Sequence, residues 1–165
     1  MIRLHTLVAL GSNLGDSPAL VRRAMDRLEA LSSEPLLRSS LWRSTPVDCP
    51  PGSPLFVNAA VALLPPRGET PESLLDHLQA MESEFGRSPK TISNEPRSLD
   101  LDLIAFGRET RSTARLTLPH PRAHQRRFVL APLNEIAPDL VLPGQTRPIR
   151  RLLEELVSRE IVLRL

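Results

Sequence analysis

The segment that decides the fold, residues 94–107, reads NEPRSLDLDLIAFG. Apolar and acidic residues alternate over positions 99–103, and in a β-strand the side chains at i and i+2 lie on one face. Asp100 and Asp102 are therefore expected on the same face, with Cα atoms about 6.5–7 Å apart. The intervening leucines go to the opposite face, and the apolar run that follows predicts a buried strand.

Two carboxylates on one face of such a strand have two interpretations. An edge strand can carry acids outward for solubility, or the pair can bind a divalent cation that compensates its two negative charges. Magnesium is the usual cation where phosphate oxygens complete the coordination. Arg97 precedes Asp100 by three residues, and its guanidinium suits a phosphate. This neighbour favours the metal and phosphate interpretation.

Composition is that of an ordinary globular chain. Of 165 residues, 41% are hydrophobic and 24% are charged, with a net charge of +2, so one domain with a sizeable core is expected. The single cysteine, Cys49, has no partner for an internal disulfide. The apolar run at residues 7–10 is too short for a signal sequence or a spanning helix. These features predict a reducing, cytoplasmic location and no membrane contact.

Periodicity predicts alternating strands and helices. Strands are expected at residues 4–10, 36–42 and 56–64, and a turn at residues 11–16. Ser17, followed by Pro18, is expected to cap a first helix, and Thr70 with Pro71 opens a second one that ends at Gly86. Phe56 and Asn58 then share one face of their strand.

The predicted order β-α-β-β-α-β is that of a ferredoxin-like α+β domain, an antiparallel sheet with helices on one face. A further helix, expected at about residues 148–157, gives this domain a C-terminal helical extension. Between them lies a basic tract at residues 115–127 that contains His120 and His124. Because Pro121 disfavours a helix and no cysteine is near, these histidines are expected to bind phosphate rather than zinc. No repeat or linker divides residues 1–165.

Five segments carry a family resemblance. They are ALGSNLGD (residues 9–16), PLFVNAAVAL (54–63), the helix around Gln79 and Glu82, PRSLDLDLIAFG (96–107) and LTLPHPRAHQRRFVLAPLNEIAPDL (116–140). In this order they resemble the 6-hydroxymethyl-7,8-dihydropterin pyrophosphokinases, ferredoxin-like enzymes of folate biosynthesis. The resemblance implies one pyrophosphokinase domain that transfers pyrophosphate from ATP to the hydroxymethyl group of the pterin and releases AMP.

The resemblance also implies roles for individual residues. Asp100 and Asp102 match the ligands of two Mg²⁺ ions and, with Arg87 and Arg97, the catalytic group. The matches for pterin binding are Ser44, Val47, Phe56, Asn58 and Phe128, the two rings stacking on the pterin. The matches for ATP binding are Gln79, Glu82, Arg87, Arg97, Arg115, Thr117, His120 and Arg126.

The sequence departs from the family pattern in two loops that face the substrates. Ser44 stands where the family usually has threonine, and Asp48 where glycine is common. Pro89, Asn94 and Glu95 differ in a loop that the resemblance implies closes over the substrates.

Two other classes of function use a similar sheet. An RNA-binding module needs exposed aromatic side chains on a basic sheet face, and the acidic pair would repel its phosphates. A metal-dependent nucleotidyl transferase or cyclase would use the same two aspartates, but Asn58 beside an aromatic ring favours a small heterocycle. The expected partners are therefore ATP and the pterin, with no nucleic acid and no membrane, and the protein is expected to be a monomer.

Overall fold

The structure is a computed structural model that describes residues 6–45, 55–86 and 98–165. Its strands are Thr6–Ser12 (β1), Leu37–Arg38 (β2), Trp42–Ser44 (β3), Phe56–Leu63 (β4), Asp100–Phe106 (β5), Arg111–Ser112 (β6), Thr117–Leu118 (β7) and Val162–Arg164 (β8). Its α-helices are Ser17–Leu28 (α1), Pro71–Glu84 (α2), Arg127–Ile136 (α3) and Ile149–Glu155 (α4). None of the helices in the described part of the chain is long and apolar enough to cross a bilayer.

The main sheet is antiparallel, with the strand order β5-β1-β4-β3-β8, and β2 pairs with β4 beside β3. β6 and β7 form a separate hairpin. The chain is therefore an α+β protein in which the acidic strand β5 and the C-terminal strand β8 lie at opposite ends of the sheet.

Helices cover both faces of this sheet. α1 and α2 pack on one face against a core that contains Val8, Leu101 and Leu103, which confirms the predicted pair of helices there. On the other face, α4, the predicted C-terminal extension, packs against Leu7 and Ala9 together with α3, a helix that the sequence did not predict. Because successive residues of a strand point to opposite faces, β1 contributes to both cores.

α3 is fastened to the sheet by Glu135. One carboxylate oxygen of Glu135 accepts a hydrogen bond of 2.6 Å from the Trp42 indole Nε1 and another of 3.0 Å from the Ser40 N–H. The second oxygen accepts 2.8 Å from the Ser40 hydroxyl, and Arg164 of β8 forms an ion pair with it at 3.4 Å. These contacts fix α3 over β3 and β8.

Several predicted boundaries are wrong. The strand predicted at residues 36–42 is divided into β2 and β3, because at the break the Ser39 hydroxyl accepts the Ala60 N–H at 2.9 Å. The cap of α1 is Asp16, which accepts the Ala19 N–H at 3.3 Å, and Ser17 is the first helical residue. β1 continues through Ser12, so the predicted turn starts later.

Other predictions hold. Thr70 caps α2 through a reciprocal pair of hydrogen bonds with Ser73, and Gly86 ends that helix with a φ of +89°. The last helix stops at Glu155, and the chain then returns to the sheet as β8. No periodic pattern in the sequence predicted that short strand.

Candidate functional site

The acidic pair of β5 has the predicted geometry. Leu101 and Leu103 are each 4% exposed in the core beneath α1 and α2, whereas Asp100 and Asp102 are half-buried on the opposite face. Two carboxylates thus lie on the face of the sheet that α3 covers. Both make contacts within the protein.

A row of paired residues runs across the sheet from this acidic pair. Asp100 pairs with Gly11 of β1, Gly11 with Asn58 of β4, and Asn58 with Trp42 of β3. Paired residues place their side chains on the same face, and neighbouring strands lie about 4.8 Å apart, so Asp100 and Asn58 are about 10 Å apart at the backbone. A Cβ on Gly11 would lie 3.3 Å from Asn58 Nδ2. Because Gly11 has no side chain, the Asn58 amide can lie directly over β1, on the side of Asp100.

The amide of Asn58 is held by Ser44. The Ser44 hydroxyl donates a hydrogen bond of 2.6 Å to Asn58 Oδ1, and the two residues are 2% and 4% exposed. Phe56 pairs with Ser44 and lies two residues before Asn58, so all three side chains share one face, as predicted for Phe56 and Asn58. Phe56 itself is half-buried.

Phe128 approaches this face from α3. It is the second residue of that helix and packs, half-buried, against the core between the sheet and α3. The guanidinium carbon of Arg126 lies 5.5 Å from the centre of its ring. The structure thus brings together six of the residues selected from the sequence. We call this surface the polar face; it comprises Ser44, Phe56, Asn58, Asp100, Asp102 and Phe128.

His120 lies next to β5, the strand that carries the acidic pair. Its backbone N–H donates to the Ile104 carbonyl at 2.8 Å, and its Nδ1 accepts the Arg122 N–H at 3.2 Å. Burial, with the positive charges of Arg126 and Arg122, lowers the pKa of His120 to about 4. The imidazole is therefore neutral at pH 7. Because Nδ1 accepts a hydrogen bond, the proton is on Nε2, which remains a donor.

The remaining described candidates for ATP binding lie along α2 and the β6–β7 hairpin. Glu82 is 9% exposed, and its Oε2 accepts the Leu101 N–H at 2.8 Å, so its carboxylate braces β5 between the two aspartates. Arg115 forms an ion pair with Asp76 of α2. Gln79 and Thr117 are exposed.

Part of the predicted site lies outside the described residues: Val47, Arg87 and Arg97, together with the departures at Asp48, Pro89, Asn94 and Glu95. Within the described ranges, no group of three or more histidine, cysteine, aspartate or glutamate side chains is placed to hold a metal ion.

Two residues that position the site are not predicted from the sequence. Gly11, expected in a turn, lies inside β1, and a glycine inside a strand often marks a close approach of a ligand or of another backbone. Glu160, whose carboxylate accepts the Phe128 N–H at 3.0 Å, is 32 residues away from it. Such a separation leaves no periodic signal.

Comparisons with known proteins agree with this architecture. A chain of the Plasmodium falciparum HPPK-DHPS triple mutant, solved with pteroate, superimposes with a TM-score of 0.68 at 12% identity. The match covers 91% of this chain and 42% of that one, so it shows the fold of part of a longer protein.

Sequence relatives are closer. The 2-amino-4-hydroxy-6-hydroxymethyldihydropteridine pyrophosphokinase of Pseudomonas aeruginosa is 42% identical over 137 residues, which cover 82% of each chain. The Haemophilus influenzae protein of the same name is 38% identical over 159 residues, 94% of each chain.

The sequence model of one family, 7,8-dihydro-6-hydroxymethylpterin-pyrophosphokinase (HPPK), matches residues 7–138. The chain belongs to this family. It is a pyrophosphokinase of folate biosynthesis, which transfers a pyrophosphoryl group from ATP to the hydroxymethyl group of 6-hydroxymethyl-7,8-dihydropterin.

Proposed function

We propose that the transfer takes place on the polar face, with the pterin over β4 and the triphosphate of ATP over β5. The observation that carries this proposal is the row of Asp100, Gly11 and Asn58. In this row an acidic pair and the proposed heterocycle-binding amide share one face, with a glycine between them. The substrate hydroxyl would then lie between the two groups.

The pterin end of the face suits a flat, polar ring. Phe56 and Phe128 offer aromatic surfaces from the sheet and from α3, and a heterocycle stacks on such rings. Asn58 can donate to the edge of the pterin through Nδ2, because its Oδ1 accepts from Ser44. Ser44 fixes its orientation, and Val47, outside the described residues, is proposed to complete this end.

The acidic end suits hard cations. Asp100 and Asp102 supply two carboxylates on one face, the oxygen donors that Mg²⁺ prefers, and we assign two Mg²⁺ ions to them. When bound, these ions would offset the negative charge of the triphosphate. Glu82 holds the backbone between the aspartates, so their spacing is supported from α2.

The residues proposed to bind ATP include several arginines. His120 offers an Nε2–H donor that carries no charge at pH 7. Arg126, whose guanidinium carbon lies 5.5 Å from the centre of the Phe128 ring, is proposed to bind phosphate beside the pterin. During transfer, an oxygen–phosphorus bond forms between the hydroxymethyl oxygen and the β-phosphorus, and the bond from that phosphorus to AMP breaks. The proposed ATP-binding group is completed by Gln79, Glu82, Arg87, Arg97, Arg115 and Thr117, with Arg87 and Arg97 also catalytic.

We further propose that the architecture is ferredoxin-like. β1-α1-β3 and β4-α2-β5 form two β-α-β units, whose strands interleave in the order β5-β1-β4-β3 with both helices on one face. One such domain, extended by α3, α4 and β8, accounts for residues 1–165. The same proposal includes a cytoplasmic monomer that binds its two small substrates and no nucleic acid, because the acidic polar face would repel a phosphate backbone.

The role of the acidic pair is tested by Asp102→Asn. The variant is expected to lose transfer at every Mg²⁺ concentration and to keep the thermal unfolding midpoint of the wild type, because the amide keeps the shape and loses the charge. Asp139→Asn removes an exposed aspartate that pairs with Arg150 away from the polar face and serves as the matched control. Normal turnover in Asp102→Asn would refute the assignment.

A further inference from the structure

The C-terminal segment, residues 156–165, borders the pterin end of the polar face. β8 pairs with β3, so that Val162 lies opposite Ser44. Just before this pairing, the Ile161 carbonyl accepts the Thr45 N–H at 3.2 Å, and the Ile161 N–H donates to the Thr45 hydroxyl at 3.3 Å. The segment therefore lies directly beside the residue that orients Asn58.

The same segment reaches the start of α3 through Glu160. Its Oε2 accepts the Phe128 N–H at 3.0 Å, while Arg126, the residue at the cap position, makes no side-chain capping bond. The first N–H groups of a helix have no partner within the helix, and a carboxylate there also interacts favourably with the helix dipole. Glu160 thus caps α3 in place of Arg126, although it is distant in the sequence.

The carboxylate of Glu160 is itself held in place. The Ser158 hydroxyl donates to Oε1 at 3.0 Å and accepts the Glu160 N–H at 3.1 Å. One residue before Phe128, the Arg127 guanidinium donates to the Leu156 carbonyl at 3.2 Å. Two successive residues of α3 are therefore tied to the C-terminal segment, and in both cases the partner lies outside the matched family region, residues 7–138.

We propose that Glu160 is a positioning residue for pterin binding: its carboxylate fixes the first turn of α3 and so places the Phe128 ring over the polar face. This inference rests on the proposed stacking role of Phe128. Glu160 touches neither substrate in this account, and it acts on affinity for the pterin through Phe128 alone.

Steady-state kinetics with each substrate varied separately tests the inference. In Glu160→Ala a partly buried N–H loses its partner, so the KM for 6-hydroxymethyl-7,8-dihydropterin is expected to rise about three- to tenfold. The KM for ATP should rise less than the KM for the pterin, because Glu160 bonds to the Phe128 N–H and not to Arg126, the proposed ATP-binding residue of this turn. We expect kcat to be unchanged. Glu160→Gln keeps an acceptor oxygen and is expected to restore most of the pterin affinity.

A matched control is Glu154→Ala, which removes an exposed carboxylate of α4 that pairs only loosely with Arg151 at 3.5 Å. Its KM values should equal those of the wild type. Ser158→Ala keeps the carboxylate but removes the hydroxyl that orients it, and the pterin KM is expected to rise about twofold. This milder variant replaces Glu160→Ala as the test if that protein does not fold.

The result that overturns the inference is an unchanged pterin KM in Glu160→Ala, or in Ser158→Ala where only that variant folds. An equal rise in both KM values, or a Glu160→Gln variant as impaired as Glu160→Ala, would equally overturn it.

Phe128→Ala shows whether a negative result concerns Glu160 alone or also the proposed stacking role of Phe128. If Phe128→Ala weakens pterin binding and Glu160→Ala does not, the inference alone is wrong. If Phe128→Ala has no effect, the stacking role itself is wrong. In the expected case, Glu160→Ala adds no further loss to Phe128→Ala, because the two act through one ring.

Discussion

The Ser44 hydroxyl donates a hydrogen bond of 2.6 Å to Asn58 Oδ1, in a pair of side chains that are almost fully buried. The other end of the amide, Nδ2, lies over Gly11, where a Cβ would be 3.3 Å away. Asn58 therefore presents a donor toward the centre of the polar face. Ser44 fixes that orientation from β3.

Loss of this hydroxyl should weaken pterin binding. Ser44→Ala leaves a buried carbonyl oxygen without its donor, so the pterin affinity is expected to fall by about 1–3 kcal/mol. Ser44→Thr keeps the hydroxyl on a residue suited to a strand and serves as the matched control. Isothermal titration with the pterin measures both. Equal losses in the two variants would contradict an orienting role.

A methyl group on Gly11 should displace the Asn58 amide. Gly11→Ala places a Cβ 3.3 Å from Asn58 Nδ2, and the pterin is expected to bind at least about tenfold more weakly. Overpacking is expected to lower the free energy of unfolding by about 1–3 kcal/mol at most. Titration and urea unfolding measure the two effects. Wild-type pterin affinity in this variant would contradict pterin binding by the Asn58 amide.

Removal of the Phe128 ring should cost about 1–3 kcal/mol of pterin affinity, because a stacking surface is lost. Phe85 provides a matched control: Arg23 lies 5.2 Å from its ring centre, as Arg126 lies 5.5 Å from that of Phe128, but Phe85 packs with the α1–α2 core. Phe85→Ala should lower stability and leave the pterin affinity unchanged. Equal effects of both substitutions on binding would contradict stacking at Phe128.

Acid should destabilise the fold through His120. Its pKa is about 4 in the folded protein and about 6.5 in an unfolded chain. Between these values the unfolded chain binds a proton that the folded chain does not, so the free energy of unfolding falls as the pH is lowered through this window. His120→Gln removes this contribution. Urea unfolding at pH 7 and at pH 4.5 measures how much the free energy of unfolding falls between the two. The variant should show a smaller fall than the wild type, and an identical fall would contradict the lowered pKa.

The sequence predicts best those features that depend on a single strand or helix. Alternation placed Asp100 and Asp102 on one face, and a proline after Thr70 marked the start of α2. At the break between β2 and β3, the Ser39 hydroxyl accepts the Ala60 N–H of β4 in place of a backbone carbonyl. β8 is three residues long, with ordinary composition, and forms only because β3 offers an open edge.

The functional site could likewise be predicted only in part. The residues of the polar face were found from a strand pattern and a family resemblance, whereas the contacts that orient them were not. Ser44 and Asn58 are 14 residues apart, and Phe128 and Glu160 are 32 apart. Which side chains meet at such distances depends on how the strands and helices pack together.

Product analysis tests the central claim most directly. Purified protein is incubated with ATP, Mg²⁺ and 6-hydroxymethyl-7,8-dihydropterin, and the nucleotide and pterin products are separated and identified. The account predicts AMP and pyrophosphorylated pterin in equal amounts, and neither product when the pterin or Mg²⁺ is left out. Formation of ADP, or of AMP without the pterin, would contradict it.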